Sequence, residues 1–281
     1  MADSLGVRDI FVEANGLRQH LIARGPITAP SVVLLHNLVG QARMFDRVAT
    51  KLSEIFQVFA LDFRGRGESA WGPHTEYKQS SYVTDVAAVC DALGLERFSI
   101  IGTAMGGGVG MAFAAKFPDR VNALVINDIG PDVETGGLSR ITSRTDSTPV
   151  AFPDLKSVVN YYKENFPAAR NLSNQRVEEY ARWNVRLSDS GLYVWKMDPA
   201  ARHVGQGAPE EGQLWEQYRS IQCPILVLRG EHSDILSRET ASRMGREHPD
   251  ATVVEIAGAA HPPLLTEKES LSALQQFLPE A

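Results

Sequence analysis

The chain has 281 residues, of which 43% are hydrophobic and 22% are charged, a composition typical of a globular protein with a sizeable core. There are 28 Lys and Arg against 34 Asp and Glu, and the net charge of −6 disfavours binding to nucleic acid or to an anionic membrane. Two cysteines, Cys90 and Cys223, are too few for a disulfide framework or a cysteine-rich zinc site. The sequence has no apolar run of membrane-spanning length and no secretory leader pattern, so we expect a cytoplasmic protein without a metal.

The predicted elements begin with a hairpin. Two β-like runs, 10–14 and 17–23, flank Asn15-Gly16, a dipeptide that favours a tight turn. Continuous apolar runs follow, which are typical of parallel strands covered on both faces: 32–35, 58–61, 98–101, 123–126, 225–228 and 252–256. Helical patterns lie between these runs, for example from an N-cap at Ser81 to a stop at Gly94. We therefore predict an α/β fold with a mostly parallel central sheet flanked by helices.

An insertion interrupts this alternation. Residues 131–216 show helical patterns, for example at 154–166 and 173–185, and no strand run. We predict a helical cap over 131–216, inserted between the core segments 1–130 and 217–281. The cap is rich in aromatic residues, some expected in its own small core and others in a substrate pocket. The aromatic pocket candidates are Tyr161, Trp183 and Trp195.

A sharp turn is predicted after the 98–101 strand. There the sequence reads Gly102-Thr103-Ala104-Met105-Gly106 and then continues as a helical pattern to Phe117. Glycines on both sides of a strand-to-helix turn allow the close backbone approach of a nucleophile elbow. The nucleophile would occupy position 104, where Ala104 has no lone pair with which to attack.

With this elbow, four landmarks occur in an order that resembles the α/β-hydrolase fold family, of the capped esterase and carbon–carbon bond hydrolase type. The resemblance covers nearly the whole chain. Its other landmarks are the loop His36-Asn37-Leu38-Val39-Gly40, the turn Asp62-Phe63-Arg64-Gly65-Arg66-Gly67-Glu68-Ser69 and, counted together as the fourth, the acid and histidine loops Gly230-Glu231-His232-Ser233-Asp234 and Gly258-Ala259-Ala260-His261-Pro262-Pro263. Two positions depart from the family pattern, because Ala104 replaces serine and Asn37 replaces glycine.

The resemblance implies a role for each of these positions. His261 would be the general base, and Asp234 would orient its ring, with Asp128 after the 123–126 strand as the alternative acid. Asp234 has a competing interpretation as a helix N-cap. The backbone N–H groups of Leu38 and Met105 would form the oxyanion hole, and His36 would hold the loop.

Ester hydrolysis is the function that this resemblance favours, with a lactone or thioester as variants and a small, largely apolar substrate. The alternative is hydrolysis of a carbon–carbon bond in a ring-cleavage dienoate, whose carboxylate could meet an arginine of the cap. The candidates for that arginine are Arg182, Arg186 and Arg202. Arg182 and Asn37 are also candidates for the substrate pocket.

Two interpretations of Ala104 remain open. Either the alanine replaces a serine and leaves the chain nearly inert, or it is native, and the pocket binds ligands or uses a cofactor-free His–Asp pair. We expect no cofactor, because the Gly-x-Gly-x-x-Ala spacing at 65–70 lacks an immediately following helix. The expected partner is a small molecule, and a homo-oligomer is compatible with the sequence.

Overall fold

The computed structural model describes residues 6–166, 172–202 and 211–279. In these ranges the strands are β1 (Arg8–Ala14), β2 (Leu17–Arg24), β3 (Ser31–Leu35), β4 (Gln57–Leu61), β5 (Phe98–Thr103), β6 (Val121–Asn127), β7 (Ala151–Phe152), β8 (Val185–Leu187), β9 (Tyr193–Trp195), β10 (Ile225–His232) and β11 (Ala251–Ala260). The helices are α1 (Asp46–Leu52), α2 (Gln79–Ala92), α3 (Met105–Lys116), α4 (Thr135–Asp146), α5 (Leu155–Asn165), α6 (Asn174–Asn184), α7 (Glu211–Arg219), α8 (Arg238–Glu247) and α9 (Lys268–Phe277).

The central sheet has eight strands in the order β1-β2-β4-β3-β5-β6-β10-β11. The hairpin of β1 and β2 is antiparallel and joins β4 antiparallel, whereas the remaining neighbours pair parallel. Asn15 and Gly16 have φ of 51° and 72°, which is the conformation that the predicted tight turn requires. The predicted hairpin and all six predicted parallel strands are confirmed.

Helices cover both faces of this sheet. In β3, Val33 and Leu35 pack into one buried apolar cluster, and Val32 and Leu34 pack into a second. Because successive strand side chains point to opposite faces, the two clusters lie on the two sides of the sheet. A strand covered on both sides has no polar face, which explains the continuous apolar runs in the sequence.

The helix limits differ in detail from the sequence-based expectation. Helix α2 begins two residues before Ser81, whose hydroxyl donates to the Glu76 carboxylate. The predicted N-cap at Ser81 is therefore wrong, whereas Gly94, at φ 69°, follows the end of α2 as predicted. None of the helices in the described ranges combines the length and the hydropathy needed to cross a bilayer.

The segment between β6 and β10 contains α4 to α7 and a small antiparallel sheet of order β7-β9-β8. The expectation that this segment lacks strands is wrong, because strands of two or three residues are too short to show a period of two. We keep the name cap for residues 131–216, whose limits stay a prediction. The limit at 216 falls inside α7, which packs on α3 of the core.

Candidate active site

The turn between β5 and α3 has the geometry of an elbow. Ala104 occupies it with φ 49° and ψ −113°, a conformation that L-residues rarely adopt. Its N–H donates to the Asn127 carbonyl at 2.9 Å, which ties the turn to the end of β6. A Cβ on Gly102 would overlap the Gly106 carbonyl, and a Cβ on Gly106 would overlap the Leu35 carbonyl. The close approach of three backbone segments therefore requires both glycines and presents the residue at 104 at the tip of the turn.

His261 follows β11 and faces the carboxylate of Asp128, which follows β6. The distance from His261 Nδ1 to Asp128 Oδ2 is 2.9 Å. The other carboxylate oxygen, Oδ1, accepts the Gly230 N–H at 3.0 Å, and Asp128 is fully buried. Asp128 thus has a fixed orientation in which its carboxylate accepts a hydrogen bond from the Nδ1 N–H of His261. Among the described residues Nε2 of His261 has no hydrogen-bond partner, so it is free to take a proton from a neighbouring group.

The prediction that Asp234 orients His261 is wrong. Asp234 instead binds Arg140 of α4 through two hydrogen bonds, from Nε at 2.6 Å and from Nη2 at 2.7 Å. Burial raises the pKa of the Asp234 carboxyl, but the hydrogen bonds and the charge of Arg140 lower it by more, and the net shift is downward. Nor is Asp234 a helix N-cap, because Ser237 accepts from the Thr240 N–H at the start of α8. Asp234 is therefore an ionised link between the core and the cap.

The two predicted oxyanion donors come from different segments of the chain. Met105 is the first residue of α3, and Leu38 belongs to the loop after β3. Among the described residues neither backbone N–H donates a hydrogen bond, so both are free to bind an oxygen of a ligand. Their assignment as an oxyanion hole stays a prediction.

His36 holds the loop that carries Leu38. Its Nε2 accepts the Phe63 N–H at 3.1 Å, and its Nδ1 lies 2.6 Å from the Asn37 carbonyl. This pattern fits a neutral ring with the proton on Nδ1. Burial, the largest effect, lowers the pKa of His36 to about 4, so the ring stays neutral at pH 7.

A cavity of about 420 Å³ lies between core and cap, and the predicted positions meet at its wall. Ala104, His261, Leu38, Met105 and Asn37 all line it. The cap supplies mostly apolar and aromatic side chains, among them Leu138, Ile141, Tyr162, Phe166 and Tyr180. A largely apolar chamber with some polar groups in its lining is suited to a small organic ligand.

Four predicted pocket residues do not line this cavity. Tyr161 and Trp195 pack against each other and Phe152 in the interior of the cap, at centroid distances of 5.4 to 5.7 Å. Trp183 packs edge-on against Tyr180 and lies outside the cavity. The fourth, Arg182, is exposed and bonds Glu178 one turn away.

The two other candidate arginines are also outside the cavity. Arg186 is exposed, whereas Arg202 is buried and lies 3.4 Å from the Thr148 carbonyl. The arginines that do line the cavity are Arg66, Arg140 and Arg144, which sequence reasoning missed. Arg140 and Arg144 are one turn apart on α4, and this spacing is the signal that could have placed them on one face.

Within the described ranges no group of three His, Cys, Asp or Glu side chains is arranged to hold a metal ion. Besides Asn37 and the three arginines, the residues that line the cavity contribute the imidazole of His261 and the free backbone N–H groups of Leu38 and Met105. With a hydroxyl at position 104, this set could take up a proton, attack a carbonyl carbon and stabilise the oxygen anion that results.

Comparison with known proteins gives consistent results. A family model described as alpha/beta hydrolase fold matches residues 30–268. A 2-(acetamidomethylene)succinate hydrolase from Mesorhizobium japonicum is 28% identical over 234 residues, covering 83% of this chain and 82% of its own. A 3-hydroxybutyrate-oligomer hydrolase from Cupriavidus necator is 28% identical over 265 residues, covering 90% of this chain and 89% of its own. The crystal structure of a similar protein from Novosphingobium aromaticivorans, an alpha/beta hydrolase, superimposes with a TM-score of 0.87 at 32% identity and covers 96% of this chain and 97% of that one.

Proposed function

This chain belongs to the α/β-hydrolase fold family, and from that premise we propose that its site is built to hydrolyse a carboxylic ester of a small, largely apolar substrate. The observation that carries the proposal is the Asp128–His261 pair, joined at 2.9 Å on the wall of the cavity that Ala104 also lines. A serine at the tip of the elbow would complete a nucleophile, base and acid set of the kind used in acyl transfer.

The chemistry assigned to each group follows from its surroundings. A hydroxyl at position 104 would lose its proton to Nε2 of His261 while its oxygen attacks the ester carbonyl, and Asp128 would stabilise the imidazolium. The carbonyl oxygen, now an anion, would be bound by the N–H groups of Leu38 and Met105. His261 would then protonate the leaving alcohol, and a water molecule would release the acid by the same steps.

As it stands, with Ala104, the chain should bind ligands and turn over almost none. Loss of a triad nucleophile lowers turnover by about six powers of ten in a well-studied hydrolase, and the residual activity comes from binding and the oxyanion hole. We therefore expect Ala104→Ser to hydrolyse 4-nitrophenyl esters at a rate far above that of the unchanged chain. The second substitution His261→Ala should remove this activity again.

The unchanged chain and the single variant His261→Ala are the matched controls for this experiment. A serine variant that is folded but hydrolyses neither short nor aromatic esters nor lactones faster than the unchanged chain contradicts the proposal. The same result would favour a ligand-binding role or a His–Asp reaction without a nucleophile.

Hydrolysis of a carbon–carbon bond in an acidic dienoate is a second candidate, and one observation favours it. Arg144 of α4 lines the apolar cavity with its guanidinium 4.5 Å from the centroid of Phe166. No carboxylate of the described ranges lies within 4.0 Å of it. Burial, and then the charge of Arg140, lowers the pKa of Arg144, as expected for a cation short of a counterion.

A substrate carboxylate would supply that counterion. The relative from Mesorhizobium japonicum is named for an acidic substrate, a succinate derivative, which agrees with a carboxylate at this position. In the serine variant, Arg144→Gln should raise the KM of acidic esters or dienoates about tenfold or more, and that of neutral esters less than threefold. Arg182→Gln is the matched control, because Arg182 is exposed and pairs with Glu178. Equal effects of Arg144→Gln on acidic and neutral substrates would contradict this assignment.

A further inference from the structure

Arg66 is a buried cation next to the proposed reaction centre. It lies in the turn after β4, between Gly65 at φ 74° and Gly67 at φ 57°. Its side chain is fully buried, at 0% exposure. A Cβ on Gly67 would overlap the Asp62 carboxylate, so the turn folds tightly on itself and directs Arg66 inward.

The oxygen atoms that accept hydrogen bonds from Arg66 belong to four residues, and all of these acceptor groups are neutral. Nε donates to the Leu38 carbonyl at 2.7 Å, and Nη2 donates to the Ala201 carbonyl of the cap at 2.8 Å. Nη1 donates to the Tyr82 hydroxyl at 3.0 Å and to the Arg64 carbonyl at 3.2 Å. The guanidinium also lies 5.3 Å from the centroid of Tyr82. These acceptors satisfy the donors of Arg66 without neutralising its charge.

Arg64, two positions before Arg66, differs from it in having a carboxylate partner. Arg64 binds both oxygens of Asp85 at 2.5 and 2.6 Å, which is a compensated ion pair. No carboxylate of the described ranges is within 4.0 Å of Arg66, so its charge has no ion-pair partner among the residues that the structure describes. Burying such a charge is unfavourable, and the same low polarity strengthens its attraction for any anion that forms beside it.

Arg66 contacts both residues that carry the proposed oxyanion donors. It holds the carbonyl of Leu38, and its Nη2 lies 3.8 Å from Sδ of Met105. We infer that Arg66 is a positioning residue of the oxyanion hole, which fixes the Leu38 loop and favours negative charge there through its own uncompensated charge. This inference rests on the proposed function. Because Arg66 also bonds Ala201, it joins the oxyanion loop to the cap.

Kinetics in the Ala104→Ser variant test the inference. Arg66→Met should lower kcat about 100-fold while KM changes less than threefold, since the effect concerns the transition state and not ester binding. Arg66→Lys keeps the charge, and its kcat should be at least about tenfold higher than that of Arg66→Met. Tyr82→Phe removes one acceptor but no charge, and it should leave kcat within about threefold. Equal losses in Arg66→Met and Arg66→Lys, or no loss in a folded Arg66→Met, overturn the inference.

Ligand binding to the chain with Ala104 gives a readout that needs no turnover. Phenylacetate carries a negative oxygen and phenylacetamide a neutral one of similar shape. By calorimetry, Arg66→Met should weaken phenylacetate binding about tenfold or more and phenylacetamide binding less than threefold. Parallel losses, or no phenylacetate binding to the unchanged chain up to about 10 mM, contradict the inference.

The two experiments separate the inference from the proposed function. Failure of Ala104→Ser alone to hydrolyse any ester counts against the proposed function, whereas the two-ligand comparison addresses Arg66 alone. Should Arg66→Met fail to fold, Arg66→Gln and Arg66→Lys replace it in the same comparison. The lysine variant should then bind phenylacetate more tightly than the glutamine variant, and the reverse order overturns the inference.

Discussion

Two carboxylates follow neighbouring strands of the sheet, and only one of them contacts the imidazole of His261. Asp128 comes directly after β6, with φ 63°, and its oxygens bind His261 and the Gly230 N–H. Asp234 lies beyond β10 and is held by Arg140. The carboxylate proposed as the acid is therefore Asp128, since Arg140 binds Asp234.

Amide substitutions distinguish the two carboxylates. In the Ala104→Ser variant, Asp128→Asn should lower kcat by about 10⁴-fold, because it removes the acceptor that holds the required tautomer of His261. Asp234→Asn breaks a half-exposed ion pair, typically worth about 0 to 1 kcal/mol, and should change kcat less than tenfold. The measurement is kcat for an aryl ester in both variants. A larger loss of kcat in Asp234→Asn than in Asp128→Asn would identify Asp234 as the acid.

The buried His36 predicts a specific pH dependence of stability. Its pKa is about 4 in the folded chain against 6.5 for the free side chain. Below pH 6.5 the unfolded chain therefore binds more protons at this site than the folded chain does, and stability is lost as the pH falls toward 4. The contribution should be about 2 kcal/mol between pH 6.5 and 5.

The variant His36→Gln keeps an acceptor for the Phe63 N–H and cannot titrate. Its free energy of unfolding in urea should therefore fall less between pH 6.5 and 5 than that of the unchanged chain, by about 2 kcal/mol. Identical pH slopes for the two proteins would show that His36 is not held neutral in the fold.

At this scale the sequence placed most of the candidate residues on one cavity but did not single out the carboxylate that contacts His261. The order of the motifs is enough to place Ala104, His261, Leu38 and Met105 on one cavity. It does not distinguish Asp128 from Asp234, since both follow core strands and the deciding contact comes from Arg140, more than 90 residues away from Asp234. A charged residue between two glycines likewise gives no sign that it will be buried, which is why Arg66 was missed.

At the scale of elements, the strand-to-helix elbow stores backbone strain. Ala104 holds φ 49° and ψ −113° because β5, α3 and the end of β6 constrain the turn from both sides. For a residue with a Cβ such a conformation costs of the order of 1 to 3 kcal/mol. A glycine would adopt it without that cost.

We therefore expect Ala104→Gly to stabilise the protein by about 1 kcal/mol, after subtracting the extra freedom that glycine gives the unfolded chain. Ala114→Gly is the matched control, since Ala114 is buried within α3 in ordinary helical structure and should lose about 1 kcal/mol or more. Urea unfolding of both variants measures the difference. Destabilisation of similar size at both positions would mean that the elbow is unstrained.

The presence of most helices and strands could be predicted from hydrophobic periodicity. Which side of a cap helix lines the cavity could not. Tyr161 and Tyr162 are adjacent on α5, yet only Tyr162 lines the cavity, while Tyr161 packs inside the cap. An amphipathic pattern shows that one face of a helix is buried. When apolar partners lie on two sides, as they do for α5, the pattern does not say which side is the cavity.

At the scale of the whole molecule, the parallel sheet brings distant segments to one edge. The loops after β3, β5, β6 and β11 all start at the carboxyl ends of parallel strands, where ligands of open α/β sheets bind. Because β5 and β6 are neighbours and β10 joins β6 to β11, His261 reaches Asp128 and lines one cavity with Ala104. The alternation of apolar runs and helices in the sequence is sufficient to predict this architecture, whereas the packing of the cap depends on tertiary contacts.

Covalent labelling tests the central claim most directly. After treatment of Ala104→Ser with a fluorophosphonate, the intact mass should rise by one adduct, and fragmentation of the tryptic peptide 98–116 should place it at position 104 and not at Ser99. The unchanged chain and the double variant with His261→Ala should stay unlabelled. Labelling that occurs elsewhere, or that persists without His261, would contradict the account.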